Sequence, residues 1–111
     1  RSRYDSSATA QQAGALTESL DDRRSKLTVA VRKVWLDLHE SQSRLQVTEQ
    51  AVAQADENLH VARSLFKRGM AKHTQVLDAE QLRTRTLNNH TQARYDHLMS
   101  AIRLRYELGE L

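Results

Sequence analysis

Phe66-Lys67-Arg68-Gly69-Met70-Ala71-Lys72-His73-Thr74 lies between two long polar amphipathic stretches, and its reading decides the fold. The chain has no proline and only three glycines. Gly14 and Gly109 lie near the ends, so Gly69 is the one glycine that interrupts the middle. Basic side chains just before a glycine mark a helix C-terminus, because they oppose the negative end of the helix dipole and the glycine can take the left-handed capping conformation. Thr74 is a candidate N-cap for a following helix, with His73 or Lys72 as alternative starts, and Asp78 and Glu80 lie near its positive end.

Outward from that turn, the N-terminal side carries an unbroken seven-residue repeat. Leu27, Val31, Val34, Leu38, Ser41, Leu45, Thr48, Val52, Ala55, Leu59, Ala62 and Phe66 follow one another in steps of four and three. Ten of these are apolar and the other two are small hydroxyl residues, which predicts one stripe facing a partner helix in a left-handed supercoil. The register runs back through Leu20 and Ala13, and Asp5 or Ser6 is placed to cap the start. The predicted first helix covers about 7–67, the turn 68–73 and a second helix about 74–108. The second helix shows a drifting apolar pattern through Val76, Leu77, Leu82, Leu87, Ala93, Leu98, Ala101, Ile102, Leu104 and Leu108. An antiparallel reversal at Gly69 puts Leu45 opposite Leu98, Ala55 near Leu87, Leu38 against Leu104, Val34 against Leu108, and Thr48 against the Arg94–Tyr95 region. The fold class expected is all-α, a long antiparallel helical hairpin or coiled coil.

Composition agrees. Ala, Glu, Lys, Leu and Arg make up 52 of 111 residues, close to the roughly 50% share typical of long helices. Leu, Ile, Val and Phe number only 24, thin for a compact globular core. No apolar run approaches the ~20 residues of a membrane-spanning helix. The absence of cysteine excludes disulfides and thiolate chemistry. Residues before about 30 extend past the second helix, and Trp35, Leu36, Val47, Val61, Leu65, Tyr95 and Met99 fall off the seam. Polar helices of this length are marginal alone in water, so further helices are expected to cover them. For the isolated chain, the expected state is a self-associated bundle, a dimer.

The residues carry no catalytic constellation. Carboxylates such as Asp21-Asp22 and Asp56-Glu57 are expected on exposed helix faces with no pocket beside a base, and no cofactor is implied. His90 and His97 share a face beside Asp96, but three or four convergent ligands are lacking and the histidines are expected to face solvent, so no metal site is assigned. Residues 67–111 hold eight Lys/Arg against five Asp/Glu. Arg83, Arg85, Arg94, Arg103 and Arg105 are interleaved with acids and lack a base-reading motif, which argues for a solvated face and against nucleic acid as a partner.

Several motifs occur together in order. Val31-Arg32-Lys33-Val34-Trp35-Leu36-Asp37-Leu38 is followed by Glu49-Gln50-Ala51-Val52-Ala53-Gln54-Ala55-Asp56-Glu57-Asn58-Leu59. Phe66-Lys67-Arg68-Gly69-Met70 and Val76-Leu77-Asp78-Ala79-Glu80 come next. The chain closes on Ala93-Arg94-Tyr95-Asp96 and Leu104-Arg105-Tyr106-Glu107-Leu108-Gly109-Glu110-Leu111. In this order and spacing the chain resembles the C-terminal helical repeat of the TolC-like outer-membrane efflux family, over about residues 25–111 and more loosely before. The resemblance implies a homotrimer in which each protomer has two repeats, each pairing a β-hairpin of a membrane barrel with long antiparallel helices. The helices form an α-barrel across the periplasm, a passive conduit for substrates driven by an inner-membrane pump through a periplasmic adaptor. On that likeness the chain is a non-enzymatic, excised piece of a longer protein. Arg68, Gly69, Met70, Ala71, Lys72 and Val76 would form the tip that docks the adaptor. Phe66, Gln75 and Asp78 would line the tunnel entrance. The chain departs from the best-known members at Phe66, where they have Tyr, at Ala71, where a gate Arg is found, and at Gln75, where a second tip acid is found. Other readings are a helical-hairpin adaptor or coiled-coil scaffold, which would dock on such a channel, and a basic nucleic-acid-binding coiled coil.

Overall fold

In the computed structural model, which describes residues 2–109, the chain is two α-helices folded back on each other. Helix α1 spans Ser2–Lys67 and α2 spans His73–Glu107. No strand occurs among the described residues. The hairpin measures 101 × 21 × 14 Å, the length expected for 66 helical residues at about 1.5 Å each. Helix α1 begins at Ser2, so Asp5 and Ser6 lie inside it and do not cap it. Glu110 and Leu111, the end of the closing motif, lie outside the described residues.

The fully buried residues are few and small. Ala55 and Ala93 are 1% exposed, Ser41 3%, Leu59 5% and Val76 6%. On α1, Val31, Val34, Leu38, Leu45, Thr48, Val52 and Ala62 are half-buried, so the sequence repeat is the packed stripe. Phe66 is its exposed exception near the turn, and Leu27 lies beyond the reach of α2.

Helix α2 uses a different stripe from the one its leucines suggest. Its buried and half-buried positions include Val76, Ala79, Thr86, His90, Ala93, His97, Ser100, Leu104 and Glu107. These also advance by threes and fours, once the exposed Arg83 is counted in sequence. Leu77, Leu82, Leu98, Ile102 and Leu108 instead face outward, 37–57% exposed. Small side chains on the α2 side of the seam allow two helix axes to approach closely, while most of the leucines of α2 are left outside.

Two polar layers set the pairing. The Ser41 hydroxyl donates to the Leu38 carbonyl (2.8 Å) and lies 3.3 Å from His97 Nδ1. The Thr48 hydroxyl donates to the Leu45 carbonyl (3.0 Å) and lies 3.0 Å from His90 Nδ1. Both hydroxyls are in reach of a carbonyl of their own helix and of an imidazole nitrogen across the seam. With the hydroxyl proton on its own helix, the hydroxyl oxygen accepts from the Nδ1–H tautomer of the imidazole. The layers are seven residues apart on both helices, so both contacts belong to one register. These contacts shift α2 by four residues, one helical turn, from the register built by matching leucines: Thr48 meets His90, not the Arg94–Tyr95 region. They also overturn the expectation that these two histidines face solvent. Among the described residues, three ion pairs bridge the helices outside the seam: Arg44–Asp96 (3.2 Å), Arg63–Glu80 (3.3 Å) and Arg83–Asp56 (2.5 Å).

Burial begins at Ala30; residues 6–29 of α1 are exposed throughout, including Leu16, Leu20, Leu27 and Val29. No helix among the described residues is long and apolar enough to cross a membrane.

Candidate docking tip

The reversal is built from backbone hydrogen bonds around one glycine. Met70 N–H donates to the Leu65 carbonyl (2.8 Å) and Gly69 N–H to the Phe66 carbonyl (3.0 Å). These are the paired bonds of a Schellman cap, which satisfies the last carbonyls of α1. Gly69 has φ 73°, a left-handed conformation that a side chain disfavours. A Cβ there would meet nothing within 4 Å, so the requirement for glycine is one of backbone conformation and not of space.

Helix α2 restarts at once. Lys72 is its N-cap, with extended backbone (φ −82°, ψ 153°), and Thr74 therefore sits inside the helix. Gln75 closes the start: its side-chain oxygen accepts from Lys72 N–H (2.8 Å), and its own N–H donates to the Lys72 carbonyl (3.0 Å). This is the glutamine half of a capping box. Its signal was present as Gln75 three residues after Lys72, hidden because lysine stands where the pattern calls for Ser or Thr. The first turn of α2 contains no acid, since Asp78 and Glu80 lie beyond it.

Arg68, Gly69, Met70, Ala71 and Lys72 are thus brought together at one end of the molecule. All are exposed except the half-buried Ala71, and Met70 is 70% exposed. Val76 is buried in the seam and anchors the tip from below, without offering a surface to a partner. Phe66, 44% exposed, has its ring 5.4 Å from that of His73. Gln75 is occupied by the cap, and Asp78 is exposed with its carboxylate outside any ion pair among the described residues. No group of three or more His, Asp or Glu able to hold a metal occurs among the described residues.

The geometry is a rod with a reversal at one end and an unpaired helix at the other. The model of the outer membrane efflux protein family matches residues 1–110. The chain belongs to the outer membrane efflux protein family. Its members are efflux channels of the Gram-negative outer membrane, and the all-α hairpin seen here agrees with their helical portion. No curated protein and no solved structure gives a match to the chain.

Proposed function

We propose that this chain is a wall-and-tip segment of the periplasmic tunnel of a trimeric efflux channel, one part of a longer protein. The tunnel is a passive conduit; an inner-membrane pump supplies substrate and energy, and a periplasmic adaptor joins pump to channel at the hairpin tip. The observation that carries this reading is the placement of apolar side chains. The α2 side of the seam is lined largely by alanine, serine, threonine and histidine, packed on the leucines, valines and alanines of the α1 repeat, while Trp35, Leu36, Val47, Val61, Tyr95, Leu98 and Ile102 are 40–64% exposed. A helical pair that keeps this many large apolar groups outside is built to stand between other helices, as a stave does in a barrel wall. In this reading Arg68, Gly69, Met70, Ala71 and Lys72 meet the adaptor, and Phe66, Gln75 and Asp78 lie at the tunnel entrance.

Gly69→Val in the complete channel tests it. A β-branched residue at φ 73° costs roughly 1–2 kcal/mol and distorts the tip, far from any membrane barrel. The channel should insert and trimerise but export poorly. Asp78→Asn should lower cation preference in single-channel recordings, because acids ringing a narrow entrance favour cations. Normal export by the first variant, with unchanged selectivity in the second, would remove the assignment of tip and entrance.

A further inference from the structure

The charge at the tip is one-sided. Between Glu57 and Asp78 the chain has no carboxylate, yet it carries Arg63, Lys67, Arg68 and Lys72, with His60 and His73 beside them. Arg63 is engaged by Glu80. Lys67, Arg68 and Lys72 are exposed and form no ion pair among the described residues.

Lys67 and Arg68 have a local explanation, because cations stabilise the C-terminal end of a helix. Lys72 has the opposite relation to its helix. It occupies the N-cap of α2, where Ser, Thr, Asp or Asn stabilise the helix and where the positive end of the dipole repels a cation. No acid in the first turn offsets it. The tip therefore keeps a third unpaired cation at a position where it disfavours folding. Departures of this kind from local preference concentrate at functional sites. Met70 adds an exposed, pliable apolar group between these charges, of the sort used at adaptable binding surfaces.

We infer that the tip docks an acidic protein surface, the end of a partner whose carboxylates surround an apolar socket for Met70. This rests on the reading of the tip as the adaptor-docking end and states what the adaptor's surface must look like. The size of the tip adds a condition. The end of a rod 21 × 14 Å across offers on the order of 300 Å², against about 800 Å² per partner in a standard stable interface. One tip is too small to hold a partner; several tips ringed in one channel hold it together by avidity. Attraction between the charged ends speeds and orients the encounter and weakens as salt screens it.

The test uses the complete channel, its purified cognate adaptor and Lys72→Asp. Asp is a favoured N-cap, so this substitution should raise the channel's thermal midpoint or leave it unchanged. The same change should weaken adaptor binding about tenfold at low salt, and Lys72→Arg should bind as the parent does. Parent binding should also fall several-fold between low and high salt. Opposite signs for stability and docking are an outcome that a merely structural lysine would not give. If adaptor binding ignores salt and Lys72→Asp binds normally while Gly69→Val does not bind, the acidic partner is refuted and the docking tip stands. If all three bind equally, docking lies elsewhere and both readings fall. If Lys72→Asp leaves adaptor binding intact but abolishes binding of the channel to phosphatidylglycerol vesicles, the basic tip faces lipid and the inference is overturned.

Discussion

The inside and the outside of this hairpin divide its residues in an unusual way. The seam buries alanines, a serine and two histidine–hydroxyl layers, with Leu59 as its largest deeply buried side chain. The outer faces hold Trp35, Leu36, Tyr95, Leu98 and Ile102 in the open. In a self-sufficient helical pair the larger residues would be expected to point inward, because apolar burial is the main driving force. Here the register of the seam is marked by its polar layers, and much apolar surface lies in the open. The difference separates what defines the hairpin from what defines its assembly, and substitutions on each side should show it.

Leu59→Ala should produce the largest loss. Leu59 is only 5% exposed, and truncating such a side chain costs roughly 2–3 kcal/mol even where the surroundings partly collapse. Thermal unfolding of the 111-residue chain, followed by far-ultraviolet circular dichroism, measures this. A midpoint equal to that of the parent would mean the seam contributes little, and the contrast with the outside would fail.

The polar layers should give a smaller and non-additive effect. Thr48→Val removes the acceptor for His90 Nδ1–H and leaves a half-buried donor unpaired, at a cost of about 1 kcal/mol. His90→Leu alone should cost a similar amount. Together the two changes make an apolar layer, and the double variant should recover most of the loss, since removing both partners is nearly neutral. A double-mutant cycle reads the coupling directly; purely additive losses would mean that Thr48 and His90 do not interact. In the hydroxyl-accepting arrangement His90 is the Nδ1–H tautomer, which nitrogen chemical shifts report.

This layered seam explains how far the sequence could be read. The α1 repeat was legible because leucine, valine and alanine mark it, and even Ser41 and Thr48 fell on its register. Gly69 was legible as the turn because nothing else in the middle of the chain supplies a left-handed residue. The α2 stripe was not. Its repeat runs through Thr86, His90, Ala93, His97 and Ser100, types that hydropathy scores as polar or neutral, while Leu77, Leu82 and Leu98 mark the outer face. Matching leucine to leucine therefore displaced the register by one turn. The capping role of Gln75 was hidden for a related reason. The partner it closes on is a lysine, whose side chain cannot complete a capping box.

The smallest expected effect on hairpin stability is at Leu98, and it decides between the two registers. Matching the leucines places Leu98 against Leu45 in the seam; the structure places it outward, 57% exposed, one residue beyond the His97 layer. Leu98→Ser should then change the unfolding midpoint of the dissociated chain little, within about 0.5 kcal/mol, as for other exposed positions. Its effect should appear in association instead, because an apolar contact for a neighbouring helix is replaced by a polar group. Sedimentation of the chain over a concentration series should show weaker self-association than the parent at equal helicity. A loss of stability comparable to that of Leu59→Ala, in the monomer and independent of concentration, would place Leu98 in the seam. It would restore the leucine-matched register, and the histidine layers would have to part.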